Sequence, residues 1–189
     1  MKVLHVPFCF RPDQVGGTEV YVEALAREQQ ARGIEAVVAA PAADDAAYAI
    51  EGLSVRRFAT GPVRELTTLY GAGDPVASEA FGAILHDERP DIVHLHAFTS
   101  AVSIRSVAEA HRRGIGVVFT YHTPTVSCQR GTLLLHGREV CDGVLHVQRC
   151  AECGLEGLGA GRTQSAVLSR VPTAVGSVAA DLRIGGSRF

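Results

Sequence analysis

A doubly wound parallel α/β sheet is the fold class this sequence predicts, and three observations predict it. Short apolar runs alternate along residues 1–122 with helix-like stretches of about 10–15 residues, the rhythm of strand–helix–strand crossovers. The first run, Lys2 to Phe8, is nearly continuous in apolar residues, as a strand buried on both faces must be. The runs also end in glycine or polar groups, Gly16-Gly17, His94-Leu95-His96 and Tyr121-His122-Thr123, and open parallel sheets bind ligands at those carboxyl ends.

In chain order, Lys2 to Phe8 is the first strand and Phe10 to Gly17 a loop. Thr18 to Arg32 is a helix with Thr18 as N-cap and Glu19 and Glu23 near the positive end of its dipole. Val20, Ala24 and Leu25, with Tyr21, mark its apolar stripe, and Gly33 its stop. Ile34 to Ala40 is the second strand, which Pro41 ends; residues 42–52 carry no firm pattern. Leu53 to Ala59 is a short strand, and Thr60 to Gly73 an unassigned connection. Pro75 to Glu88 is a helix with Asp74 as N-cap and Pro75 in the first turn. Asp91 to Ala97 is a strand, Ser100 to Arg113 a helix, and Gly116 to His122 the fifth strand. Beyond His122 the rhythm breaks. Residues 123–160 form a cysteine-rich insertion without periodicity, and 161–189 a helical segment interrupted by Pro172.

Composition narrows the function. The chain has 189 residues, is 47% hydrophobic and 20% charged, and carries a net charge of −2, so no basic field draws it to nucleic acid. No apolar stretch reaches the roughly 18 residues of a spanning helix. The apolar start contains His5 and Pro7 and lacks a small-residue cleavage site, so it reads as a buried strand of a cytoplasmic protein rather than a signal peptide.

The pair Gly16-Gly17 stands between a strand and a helix, where backbone N–H groups can cradle an anion. On the glycines alone an ordinary turn is the better reading, and neither a dinucleotide fingerprint nor a Walker loop is present. His94 and His96 point to one face of their strand. His96, nearer the end, is expected to reach the crevice, and His94 to pack under a helix with its ring N–H satisfied. Cys128, Cys141, Cys150 and Cys153 are the second constellation. Cys150 and Cys153 have chelate spacing, and four thiolates would make a structural zinc site, with His136 or His146 as substitutes. Free thiols or one disulfide are the alternative. Cys9 reads as a buried thiol.

Together these residues resemble a known family. Val15-Gly16-Gly17-Thr18-Glu19, then Leu25-Ala26-Arg27-Glu28 through Gly33 to Ala36-Val37-Val38, is similar to the start of family 4 (group 1) glycosyltransferases. Pro90 to His96 resembles that family's fourth-strand motif, and Val118 to Thr123 its strand-to-loop motif with an active-site histidine. The spacing from Cys128 to Cys153 resembles an insertion found in one subset. The resemblance spans residues 1 to about 160 and implies the N-terminal, Rossmann-like half of a GT-B fold. It implies retaining transfer from a nucleotide sugar to a sugar or lipid-linked acceptor hydroxyl, with no metal or other cofactor in the chemistry. His122 would be catalytic, beside the transferred sugar. Gly16 and Gly17 would lie near the donor diphosphate, and His96 and Thr123 would be further substrate contacts. Thr123 stands where many members of the subset have Asp.

The family's second domain, with its E-x7-E motif, is missing from these residues. The expectation is therefore an incomplete part of a longer enzyme, inactive alone and cytoplasmic or peripheral to the membrane. The competing expectations are a stand-alone carbohydrate- or nucleotide-binding module, a zinc-stapled interaction domain, and a Rossmann oxidoreductase. The last lacks both the fingerprint glycines and an acidic end to the second strand.

Overall fold

A computed structural model describes residues 1–13, 16–62, 72–128 and 130–171. Val15 of the glycine stretch, most of the unassigned 60–73 connection, and the segment after Val171 lie outside the described residues. The chain divides into two compact units, Met1–His122 and Thr123–Phe189.

The first unit is a Rossmann-like α/β domain. Its elements are β1 (Lys2–Val6), α1 (Gly17–Ala31), β2 (Glu35–Ala42), β3 (Ala46–Ile50), β4 (Leu53–Ala59), α2 (Pro75–Glu88), β5 (Ile92–Leu95), α3 (Ile104–Arg112) and β6 (Gly116–Phe119). The six strands lie in the order β3-β4-β2-β1-β5-β6, all parallel except the edge strand β3. From β1 the sheet grows one way through β2 and β4, then reverses and grows the other way through β5 and β6. The β1/β5 boundary is therefore the topological switch point, where such sheets hold their ligands.

Alternation along the strands sorts residues onto two faces. Leu4, Val6, Val37, Ala39, Phe58, Val93 and Leu95 form one core with Phe81, Leu85 and Ala110 of α2 and α3. Ala36, Val38, Ala40, Leu53 and Val55 form the other, covered by Val22 and Ala26 of α1. His5 and His94 have the phase of the second face, and the parallel register sets them directly opposite each other.

Several elements differ from expectation. β2 does not stop at Pro41 but runs on, with Pro41 opposite Phe58. Pairing with β1 has ended by Val38, so the missing N–H faces no ladder partner. Residues 42–52 contain the edge strand β3, joined to β4 by Glu51-Gly52, both at positive φ (48° and 83°), as a type I′ hairpin turn requires. Helix α1 is capped at Gly16 rather than Thr18, and its buried stripe is Glu19, Val22 and Ala26; Val20 and Tyr21 face outward. The small side chains of Ala36, Val38 and Ala40 beneath it accept that slimmer face.

The second unit holds a 3-10 turn (Pro124–Val126), a two-residue-stranded hairpin of β7 (Leu134–Leu135) and β8 (Glu139–Val140), α4 (Val147–Gly157) and α5 (Arg162–Leu168). Helix α4 was not expected. It carries Cys150 and Cys153, so their spacing is one helical turn.

Candidate functional site

The loop after β1 is held from below by Arg57 of β4, which is buried. Its guanidinium donates to the Phe10 carbonyl (2.9 Å) and the Pro41 carbonyl (2.7 Å) and pairs with Asp13. The chain then enters α1 at Gly16. There the Glu19 carboxylate, itself buried, folds back and accepts from the Gly16 N–H at 2.8 Å. A carboxylate thus already sits on one amide of the anticipated anion cradle. The amides of Gly17 and Thr18 open the helix beyond it, and a Cβ at Gly17 would meet nothing within 4 Å.

A row of three histidines, with a fourth packed against it, runs along the α1 face toward the strand ends. Gln29 Oε1 lies 2.7 Å from His5 Nε2. His5 Nδ1 lies 3.0 Å from His96 Nε2, and His96 Nδ1 lies 3.1 Å from His122 Nε2. His94 stacks on His96, ring centroids 3.9 Å apart, and its Nε2 lies 2.7 Å from the Thr120 hydroxyl. Tyr21, one turn into α1, sets its ring edge-on to His122 at 5.0 Å. Gln29 is in this row because it follows Ala26 by three positions and so continues the buried stripe of α1.

Burial dominates the electrostatics. Desolvation pushes His96 down to about 2, with His94, His5 and His122 adding repulsion. It pushes His94 down to about 4, again with help from His5 and His122. Desolvation also lowers His5, against the Gln29 hydrogen bond that favours its charged form. At neutral pH these three rings are therefore neutral, each with one N–H and one lone pair.

In the second unit Cys128, Cys141, Cys150 and Cys153 all line one cavity of about 30 Å³. Burial raises the Cys128 thiol, but backbone amides of Leu133, Thr132, Arg130 and Gly131 outweigh it and hold the thiol below its ordinary value. Cys153 Sγ accepts from the His136 amide at 3.1 Å. Among the described residues, one group of three or more metal-capable side chains closes to within 4.8 Å, and it is His5, His94 and His96 rather than the cysteines.

The model of glycosyltransferase family 4 matches residues 15–140. The chain belongs to glycosyltransferase family 4. No curated protein matches it. A solved structure assigned as a UDP-N-acetylglucosamine 2-epimerase from Listeria monocytogenes is similar at 14% identity and a TM-score of 0.42, over 86% of this chain and 43% of that one. The chain thus spans less than half of that protein's length.

Within this family 4 domain, the residues singled out in sequence fall into three places. Gly16, Gly17 and His122 lie at the carboxyl ends of the strands. His96 does not open onto the crevice as expected: it is 2% exposed and both its ring nitrogens are occupied by other histidines. Its amide still extends the ladder, donating to Val6 O at 3.0 Å, which draws the side chain under α1. Thr123 opens the second unit, just ahead of its 3-10 turn, and the cysteines follow. Cys9 is part-buried, its thiol pushed up by burial and by Glu19. His136 Nδ1 is held by Glu156 at 3.0 Å.

Sequence reasoning missed His5 and Gln29. The signal was present, since an imidazole inside an otherwise apolar buried strand must find polar partners, and Gln29 is a part-buried polar residue one turn beyond the buried Ala26 of α1.

Proposed function

We propose that this domain is the acceptor side of a retaining glycosyltransferase, which moves a sugar from a nucleotide-activated donor to a hydroxyl of a sugar or lipid-linked acceptor. The observation that carries the reading is that the histidine row ends at His122 and the N-terminus of α1 opens at the same switch point, with Tyr21 against the His122 ring.

In this reading His122 lies beside the transferred sugar and hydrogen bonds to it as the transition state forms. The glycine turn lies near the leaving diphosphate, whose growing charge pre-aligned N–H groups stabilise without reorganising. The Gly16 amide is engaged by Glu19, so the amides of Gly17 and Thr18 do most of this. Thr123, next to His122, offers a hydroxyl to the acceptor. His96 works through His122 rather than by touching substrate. Donor binding belongs mainly to a second Rossmann-like domain facing this one across a cleft, so these 189 residues alone release no nucleotide at enzymic rates. The protein works in the cytoplasm or at the membrane surface. Among the described residues no helix is long and apolar enough to cross a membrane.

The chemistry needs no cofactor. The four cysteines are assigned to a structural zinc ion. They already surround one cavity of about 30 Å³, about the space of one small ion or water, and the amides around Cys128 favour its thiolate. Binding would draw sulfurs that now lie further apart onto one centre.

The test is His122→Ala in an active enzyme that carries this domain. Turnover is expected to fall by about 100-fold or more with the unfolding midpoint nearly unchanged. Parallel losses of rate and stability would reduce His122 to a structural residue. Nucleotide release from a sugar nucleotide by the isolated chain at enzymic rates would overturn the assignment of donor binding to a second domain.

A further inference from the structure

We propose that Gln29, acting through His5 and His96, fixes the tautomer of His122, with hydrogen on Nε2 and a bare lone pair on Nδ1. The inference rests on the glycosyl-transfer reading only for what His122 then does, not for the proton arrangement itself.

Gln29, His5, His96 and His122 form one continuous row in which every proton can be placed. Gln29 turns its amide oxygen, which can only accept, toward His5, so His5 Nε2 is the donor across a nitrogen–oxygen distance of 2.7 Å. His5 is neutral, so its Nδ1 is a lone pair. The facing His96 Nε2, 3.0 Å away, must then donate. His96 is neutral too, so its Nδ1 accepts, and His122 Nε2 donates across 3.1 Å. Each bond permits one donor and one acceptor, and a neutral imidazole supplies one of each, so a choice made at Gln29 propagates through two rings to the third. His94 stays outside the row. It is tied to Thr120, and its ring packs against the His96 ring with centroids 3.9 Å apart.

The row is an orienting device, not a conduit. Desolvation holds His5 and His96 neutral, so a proton arriving at His122 is not passed inward. The substrate consequence is specific. A bare Nδ1 accepts, so the ligand group facing it is a sugar hydroxyl that donates, not a phosphate oxygen.

The test is a long-range proton–nitrogen correlation spectrum of the 189-residue chain with nitrogen-15 histidine at neutral pH. The wild-type spectrum should show the His122 proton on Nε2 and an unprotonated Nδ1. In Gln29→Lys the ammonium group can only donate, so every bond in the row reverses and the His122 proton moves to Nδ1. In Gln29→Met both forms should appear. A wild-type proton on Nδ1 overturns the proposal, as does an unchanged pattern in both folded variants; the wild-type spectrum decides even where a variant fails to fold. The expected spectrum alongside an undiminished transfer rate in His122→Ala would sink the catalytic reading of His122 and uphold the tautomer assignment.

Discussion

His5, His94 and His96 are imidazoles kept neutral by burial, and this makes the domain acid-sensitive. Their folded-state values lie below the ordinary 6.5, at about 4 for His94 and about 2 for His96, whereas in the unfolded chain they return to that ordinary value. Below about pH 6.5 the unfolded state therefore binds more protons than the folded one. The stability these groups contribute is complete above that point and is lost as pH falls toward the folded values. Each contributes a slope of up to about 1.4 kcal/mol per pH unit, less for His94, which is partly screened by solvent. Urea midpoints should be level near pH 7 and drop steeply toward about pH 5. A level profile across that range would mean that the rings titrate in the folded protein as they do in the unfolded chain.

Asp74 shows how much one residue at an element boundary secures. It caps α2, accepting from the Val76 amide at 2.9 Å, and its other oxygen accepts from the Gly61 amide at 2.6 Å. It is 2% exposed, so neither donor is readily served by water once the carboxylate is gone. Asp74→Ala should cost about 2–4 kcal/mol, roughly 1 for the cap and the rest for the stranded Gly61 N–H. Asp74→Asn, which can still accept at one oxygen, should recover about half. A loss below about 1 kcal/mol in chemical denaturation would show that the amides find other partners. Helix α1 makes a related point. Its buried stripe runs through Glu19, Val22 and Ala26 to Gln29, so a single face both closes the core and delivers polar groups to the glycine turn and to the histidine row.

At the scale of the molecule, the two units draw on different sources of stability. The first has a sheet with an apolar core on each face. The second, among its described residues, has one short hairpin and two short helices, and its buried members are few. Zinc bound by the four cysteines would supply folding energy that this unit's core does not. The purified chain should carry about one zinc per molecule. Chelation should remove amide protection from residues after Thr123 while leaving that of the β1–β6 sheet intact. Near-zero zinc after gentle purification, with all four thiols readily alkylated in the folded protein, would sink the zinc assignment.

The sequence by itself determined the strand–helix rhythm of residues 1–122, the parallel sheet, the Asp74 cap and the family, because hydrophobic period, cap residues and strand-end motifs are local signals. It did not disclose the hairpin of β3, whose alanine-rich strand has no apolar alternation to read, or α4, whose apolar positions are interrupted by the cysteines. It set the buried stripe of α1 on the wrong side, since which face is buried depends on the small residues of β2 beneath it. The tertiary structure alone decided that His96 is covered and that residues from β1, α1 and the ends of β5 and β6 share one hydrogen-bonded row. Gln29 and His122 stand 93 positions apart in the chain, and only the register of β1 against β5 and the packing of α1 on the sheet bring them to opposite ends of the same row.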